Sequence, residues 1–314
     1  MYKCLGDHIA DGFDPLYTKR SEKAQGYSAS CLAMCSEMSL GYQLYHISKL
    51  LHHSIFINGT LVNMETWPNC TTSRIEIFER IEQIFFRKIL SAHSKTPIEA
   101  IYLEMGILPF RFHLMKKRIL YLHSILNRED GEITKEIVLL QKIECYDGDF
   151  YAQSERDMKA LGIEDTDLLM KKDSFNEMLS KKIEGAAFCF LIEKAKVHSK
   201  VNEHAYTDCK GAEYFQKQCF SPDLANILFQ FRTRCFLVKN NFRNNYKNTN
   251  IICPLCQMED DTQEHLFQCV KIRSSHSSNN SKHEDIFSKN INDLLRVATE
   301  LKKLVEIRKR LLDQ

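Results

Sequence analysis

Apolar residues recur along this chain with helical periodicity, whereas the alternation typical of strands is almost absent. The 314 residues include only 11 glycines and 6 prolines, so the residues that interrupt helices are scarce. Hydrophobic side chains make up 44% of the chain, which is enough for a buried core. We therefore predict a mainly α fold, with a hint of strand only at residues 2–5.

Capping signals and apolar spacing predict four helices in the middle part of the sequence. Their predicted bounds are from Ser73 to before Pro97, from Pro109 to before Asp130, from Ser174 to about Lys196, and from Leu224 to Lys239. Residues 145–172 are acidic and irregular, so we expect an exposed connector or a domain boundary there.

The C-terminal part begins with a polar stretch, residues 273–282, that is too poor in apolar side chains to form a core. We predict a linker there. Beyond it, residues 291–312 carry apolar side chains at helical spacing and several basic residues on the other face. Such an amphipathic helix docks on its own core or on a partner helix, and residues 286–312 are the segment that a partner would bind.

The sharpest local pattern is Cys253-Pro-Leu-Cys256, followed by His265 and Cys269. The first pair aims two thiolates at one point from a tight turn, and the second pair lies on one face of a short helix. Tetrahedral Zn²⁺ fits four such donors, and no open position is left for an activated water. We predict a structural zinc site, with chance clustering among 12 Cys and 12 His as the alternative.

A basic stretch rich in aromatic and amide side chains precedes this motif. Between Asp223 and Glu259 the chain has five basic residues and no acidic one. Cations interleaved with aromatic rings suit the phosphates and stacked bases of nucleic acid, although a solvated helix whose Phe residues face the core is the simpler reading. We predict nucleic-acid contacts for all five cations, which are Arg232, Arg234, Lys239, Arg243 and Lys247.

A second basic cluster lies near the start of the helix after Pro109. It is a weaker prediction of nucleic-acid contact, because a charged helix face is usually only solvated. Its members are Arg111, Lys116, Lys117 and Arg118.

Other classes of protein are disfavoured by what the sequence lacks. No run approaches the roughly 18 apolar residues of a membrane-spanning helix, and residues 1–7 lack the apolar segment of a signal peptide. We expect a chain of the nucleus or the cytoplasm that is neither secreted nor bound to a membrane. No nucleophile elbow, Walker loop, dinucleotide fingerprint or His-Glu-x-x-His motif occurs, so no enzyme is predicted.

Four segments of the chain resemble the C-terminal part of the reverse transcriptase of non-LTR (LINE-type) retrotransposons. The segments follow the order of the family and together cover about residues 1–270, and the third is the most specific. They read YKCLGD at residues 2–7, NMETW at 63–67, TPIEAIYLEMGILP at 96–109, and TQEHLFQC at 262–269, where the Cys-Cys-His-Cys motif ends.

This resemblance implies a thumb-like helical region at residues 1–130, a helical connector at 131–244, and a zinc knuckle at 245–270 that grips template RNA or target DNA. Residues 271–314, the Ser-rich linker and the amphipathic helix, match no pattern of the family. The catalytic Phe/Tyr-x-Asp-Asp motif of the family's palm is missing from the chain, so the resemblance implies no polymerase activity for it.

The resulting hypothesis is zinc-dependent, largely sequence-nonspecific binding of RNA or DNA by a palm-less fragment or derivative of such a reverse transcriptase. Two alternatives stay open. One is a helical interaction scaffold in which zinc is only structural, and the other is the thumb portion of a truncated or split RNA-directed DNA polymerase.

Overall fold

The computed structural model describes residues 2–4, 7–9, 14–37, 43–144, 146–198, 201, 205–208, 210–241, 250–275 and 282–313. These residues are mainly helical, as the sequence predicts. The predicted strand is confirmed at β1 (Tyr2–Cys4), which pairs antiparallel with β2 (Asp7–Ile9). No helix among these residues is both long enough and apolar enough to cross a membrane.

The helices of the described residues are numbered in chain order. Those up to residue 126 are α1 (Asp14–Glu37), α2 (Leu44–Leu51), α3 (Asn58–Thr60), α4 (Thr72–Ile89), α5 (Ile98–Met105) and α6 (Phe110–Leu126), with a π-helical turn at His52–Ile57 between α2 and α3. The later ones are α7 (Ile133–Glu144), α8 (Phe150–Leu161), α9 (Lys172–Ala195), α10 (Pro222–Arg232), α11 (Gln263–Gln268), α12 (Val270–Ser274) and α13 (Ile291–Leu312).

Three of the four predicted interior helices and the terminal helix are confirmed as α4, α6, α9 and α13. The fourth interior helix, α10, is shorter than predicted and ends at Arg232. The chain leaves the helix there because Arg234 adopts a left-handed conformation, with φ at 50°. The Thr233 hydroxyl donates to the Phe229 carbonyl and satisfies part of the helix end.

The prediction of an exposed connector at residues 145–172 is wrong. Helix α8 lies within this segment and is capped at its start by the Asp149 carboxylate, which accepts from the Ala152 N–H at 2.7 Å. Tyr151, Met158 and Leu161 are buried. The many charged residues conceal this helix in the sequence, because they lie on the face opposite to a short apolar stripe.

The described residues form two compact units, and neither coincides with the consecutive domains that the sequence predicts. The first unit comprises residues within 1–38, 47–86 and 107–190, and the second comprises residues within 39–46, 87–106 and 191–314. Each unit therefore draws on segments that are far apart in the chain.

Aromatic rings fill the core of the first unit. Phe78 and Phe110 stack with ring centroids 5.1 Å apart, and Tyr17 meets Trp67 edge to face at 5.1 Å. Burying each such ring contributes about 1.5–3 kcal/mol, with somewhat more from the favourable ring geometry. This cluster fixes the starts of α4 and α6 against each other.

In the second unit, helix α13 packs against α10. Its apolar face is buried within its own chain, through Leu294, Val297, Ala298, Leu301, Leu304 and Ile307. The structure thus favours docking of α13 on the core of its own chain. A partner helix could bind the apolar face of residues 286–312 only if α13 first left that core. The predicted linker lies partly outside the described residues, since residues 276–281 are not among them.

Candidate metal centre

The Cys253–Cys256 pair sits on a tight turn held by backbone hydrogen bonds. The Cys253 N–H donates to the Glu259 carbonyl at 2.7 Å, and the Gln257 N–H donates back to the Cys253 carbonyl at 3.0 Å. Gln257 has a φ of 56°, which reverses the chain direction behind the second cysteine. Ile252 and Asp260 form an isolated antiparallel bridge that closes the loop. Both thiols consequently face the same side.

Helix α11 supplies His265, and Cys269 is the residue that caps its C-terminal end. The Thr262 side chain caps the start of the helix by accepting from the His265 N–H at 2.9 Å. The Cys269 N–H donates to the His265 carbonyl at 2.7 Å, so the two residues are one helical turn apart on one face. The predicted placement of this pair at a short helix is confirmed.

The four side chains converge. One donor atom from each of Cys253, Cys256, His265 and Cys269 lies within 4.8 Å of all the others. The Cys256 Sγ is 3.2 Å from the His265 Nε2, and the Cys253 Sγ is 4.0 Å from the Cys269 Sγ. Cys253, His265 and Cys269 are buried. A Cys₃His cluster of this kind could hold a metal ion, as the sequence predicts.

A carboxylate orients the histidine. Glu259 Oε2 lies 2.8 Å from His265 Nδ1, which assigns the ring proton to Nδ1 and leaves the Nε2 lone pair facing Cys256. Metal-binding histidines usually have such a partner, because it fixes the ring and increases its basicity. The sequence analysis did not identify Glu259; its only signal there is an acidic residue six positions before the histidine.

Within the cluster, Cys256 and Cys269 have shifted pKa values, and their surroundings differ. Burial opposes ionisation of Cys256, but hydrogen bonds from the backbone N–H groups of Met258 and Glu259 outweigh it and lower the pKa of this thiol to about 7. Burial, by contrast, raises the pKa of Cys269 to about 11. A bound cation would favour the thiolate at both positions.

Arg232, predicted to contact nucleic acid, is instead part of a buried ion pair. Its Nε donates to Glu104 Oε1 at 2.7 Å and its Nη1 donates to the Ile286 carbonyl at 2.8 Å, with only 7% of the residue exposed. Tyr206 and Tyr214 also donate to the Glu104 carboxylate, and burial raises the pKa of both phenols well above the ordinary value. The prediction for Arg232 is therefore wrong in this fold, because its charge is already matched inside the protein.

The other described cations of this basic stretch lie in different environments. Arg234 is about half exposed and forms an ion pair of 2.9 Å with Glu264. The Lys239 ammonium donates to the carbonyls of Asn250 and Ile252 at 3.2 and 3.3 Å, so it braces the segment that enters the metal turn. Arg243 and Lys247 lie outside the described residues.

The second basic cluster is largely paired within the first unit. Arg111 makes two hydrogen bonds of 2.6 Å with Glu79, Lys117 pairs with Glu65 at 3.0 Å, and Lys116 donates to the Ser180 hydroxyl at 2.9 Å. Arg118 is 3% exposed and pairs with Asp157, which contradicts its predicted place on a nucleic-acid surface. Of the four, only the two lysines and Arg111 keep part of their surface exposed.

Two cations that the sequence analysis passed over lie next to the metal cluster. Lys271 and Arg273 lie on α12, two and four positions after Cys269, and both are exposed. Neither forms an ion pair within the described part of the chain. Their signal in the sequence was their position just after the last metal-binding residue.

No protein-family model, curated protein or solved structure matches this chain.

Proposed function

We propose that this chain binds nucleic acid, with little sequence preference and without polymerase catalysis of its own, through a surface organised by a structural Zn²⁺. The observation that carries the proposal is the Cys₃His cluster with two exposed cations beside its last member, Lys271 and Arg273, neither of which has an ion-pair partner among the described residues. A small metal module that presents cations is a common way to hold phosphate.

Zinc is favoured by the donor set and by the dimensions of the cluster. Tetrahedral zinc has bonds of about 2.3 Å to sulfur and 2.0–2.1 Å to nitrogen, so its donor atoms lie roughly 3.5–3.8 Å apart. The distances of 3.2 and 4.0 Å between donor atoms bracket that range. The ion would be held by Cys253, Cys256, His265 and Cys269, with Glu259 behind the histidine.

The origin of the module is part of the same proposal. The four segments that resemble non-LTR reverse transcriptases support descent from such an enzyme, and zinc-dependent grip on RNA or DNA is the activity that a palm-less derivative would retain. The target would be mainly the phosphate backbone. Contacts from arginine and lysine side chains to phosphate carry no information about the base sequence.

The test is a titration of the purified protein with fluorescent single-stranded and duplex RNA and DNA at two salt concentrations. The proposal expects affinity that falls with salt and is lost when a chelator removes the metal. Replacing Lys271 and Arg273 by Glu should reduce the slope of log K against log salt by about 1–2, since each lost phosphate contact removes about 0.7–0.9.

The matched control is the double replacement Lys171→Glu with Lys172→Glu, which makes the same charge change at two exposed lysines before and at the start of α9. It should leave the salt slope unchanged. Equal effects of the two double variants would mean that only overall charge matters, and the proposed surface would be wrong.

A protein-interaction scaffold is the second candidate, and one observation favours it. Helix α7 exposes an apolar stripe to solvent, with Ile133 at 77% and Ile143 at 76% exposure and with Ile137 and Leu140 also exposed. Contiguous exposed apolar side chains mark binding surfaces. This candidate expects one metal ion per chain together with no affinity for RNA or DNA in the same titration.

A further inference from the structure

Helix α7 exposes more large apolar side chains than any other helix in the described part of the chain. The exposed side chains are Ile133, Ile137, Leu140 and Ile143. No other helix among the described residues exposes more than two of this kind. Because the solvation of apolar surface is unfavourable, such a concentration marks a surface that a partner covers.

The four side chains form one continuous stripe along α7. Their successive spacings of four, three and three residues follow the helical repeat, so they lie on one side of the helix. Val138 is buried and lies on the opposite side, where α7 packs against α6 and α8. At a rise of 1.5 Å per residue the stripe is about 15 Å long. Nearly three turns of α7 are therefore available to a partner.

Two glutamates lie within the same stripe. Glu136 follows Ile133 by three residues and Glu144 follows Leu140 by four, so both carboxylates lie among the apolar side chains. Both glutamates are exposed, and neither has an ion-pair partner among the described residues. We call the side that carries these two glutamates and the four apolar residues the outer face of α7.

The two lysines of α7 lie off this outer face and are neutralised within the chain. The Lys135 Nζ is 2.6 Å from the Asp130 Oδ1, and the Lys142 Nζ is 2.8 Å from the Asp165 Oδ2. The outer face of residues 133–144 therefore combines apolar surface with negative charge and carries no cation. A face of this kind is complementary to apolar side chains that are flanked by positive charge.

This charge decides between the possible occupants. A second copy of the chain would apply the same face to itself across a two-fold axis. Four carboxylates would then meet without a cation on either side, which is unfavourable. Nucleic acid and anionic lipid are disfavoured for the same reason, since both are negatively charged. A helix with one apolar face and lysine or arginine beside it meets both requirements.

We propose that the outer face of α7 binds a basic amphipathic helix of a partner protein. Apolar residues of the partner helix, at helical spacing, pack on the stripe, and its cations pair with Glu136 and Glu144. The proposal rests on the scaffold function, the second candidate above, and names the chemistry of its partner. It does not involve the metal cluster, because α7 belongs to the first unit and the cluster to the second.

Fluorescence anisotropy on the full chain tests the proposal with three labelled peptides of 18 residues. The first carries leucines on one helical face and lysines on the other. The second has glutamate in place of every lysine, and the third has the composition of the first in an order without an apolar face. We expect the second and third peptides to bind about tenfold more weakly than the first, or less.

The proposal is overturned if the first peptide does not bind, or if either comparison peptide binds as tightly. The assay contains no nucleic acid, so its result is separate from the titration that tests the metal module. Failure of the scaffold function itself is recognised in that titration, by affinity for RNA or DNA.

Ile133→Ser combined with Ile143→Ser tests the apolar stripe. Both side chains are exposed, so the fold should persist, and loss of their contacts should weaken the leucine–lysine peptide by about tenfold or more. The control combines Val197→Ser with Leu237→Ser, at two other exposed apolar residues, and should bind like the wild type. Wild-type affinity in the Ile133 and Ile143 variant would place the peptide elsewhere on the protein and refute the proposal.

Glu136→Lys combined with Glu144→Lys reverses the charge of the outer face. This variant should bind the leucine–lysine peptide about tenfold more weakly and should gain affinity for the leucine–glutamate peptide. Glu184→Lys with Glu193→Lys makes the same charge change at exposed positions of α9 and should keep the wild-type preference. An unchanged preference in the Glu136 and Glu144 variant would mean that charge on this face does not select the partner, contrary to the proposal.

Sedimentation velocity on the full chain tests the second copy as the occupant. A monomer supports a partner from another protein. A dimer that Ile133→Ser with Ile143→Ser abolishes would assign the outer face to self-association, and the proposal would be wrong.

Discussion

Arg308 and Asp261 form a two-point ion pair in the interior of the second unit, with Nη1–Oδ1 and Nη2–Oδ2 distances of 2.8 Å each. Asp261 also accepts the Lys239 N–H at 2.9 Å, and it immediately precedes Thr262, the residue that caps α11. The terminal helix is therefore connected to the metal cluster through one buried charge pair.

We predict that Arg308→Met destabilises the second unit by about 3–5 kcal/mol, because it leaves the Asp261 carboxylate buried without its counter-charge. Urea unfolding gives the change in free energy. Arg310→Met, at an exposed position on the same helix, is the control and should cost well under 1 kcal/mol. Similar losses in the two variants would contradict the role of the pair.

Removing the metal should destabilise the second unit. In zinc-finger peptides the apparent binding free energy of structural zinc is about 10–16 kcal/mol, and it serves as folding free energy. We expect one zinc ion per chain by elemental analysis and a lower Tm after chelation. Cys256→Ser should reproduce the chelated state, whereas Cys219→Ser, at an exposed cysteine outside the cluster, should keep both the zinc and the Tm.

Glu259→Gln should weaken metal binding by roughly 10–100-fold without abolishing it, because the carboxylate orients His265 but is not one of the four donors. Competition with a chromogenic chelator measures the affinity. Asp260→Asn removes an equal charge from the neighbouring exposed residue and should leave the affinity within about threefold of the wild type. A Glu259→Gln protein with unchanged metal affinity would refute the orienting role.

Arg232→Gln should act on stability and not on nucleic-acid contact. Among the described residues, the variant leaves Glu104 buried with the two tyrosine hydroxyls as its remaining side-chain partners, which should cost about 3–5 kcal/mol. Under conditions where the variant is folded, its salt slope for nucleic acid should equal that of the wild type. A flatter slope in a fully folded variant would restore Arg232 to the binding surface.

Acid should destabilise the first unit through His113. Burial, followed by the neighbouring His52, His53 and Lys116, lowers the pKa of His113 to about 3, whereas an unfolded histidine titrates near its ordinary value of 6.5. Between these pH values the unfolded chain binds a proton that the folded chain does not. Stability is therefore lost as the pH falls below about 6.5, at up to about 1.4 kcal/mol per pH unit for this group.

His113→Gln removes the contribution of His113 and should reduce the dependence of unfolding free energy on pH between about 6.5 and 3. A smaller slope should remain, because burial also lowers the pKa of His52 to about 3. The control is His198→Gln, at an exposed histidine, which should leave the pH dependence as in the wild type. Denaturant titrations at a series of pH values make the measurement. A His113→Gln protein that keeps the full pH slope would show that other groups cause it.

The sequence by itself determined the features whose signals are local. Helices α4 and α9 are readable from capping residues and apolar spacing, because both report on hydrogen bonds and faces within one helix. The metal cluster is readable for the same reason, since its four members span only residues 253–269 and a turn and a short helix bring them together.

Only the tertiary structure decided what each charged residue does. Arg232 and Glu104 are 128 positions apart, and Arg118 and Asp157 are 39 positions apart, so no local sequence pattern predicts either ion pair. The sequence pattern around a cation on a helix face is the same whether that cation is solvated, binds phosphate or is buried against a carboxylate. The choice depends on the desolvation cost and on the partner that the fold brings to it, and both are properties of packing between distant segments.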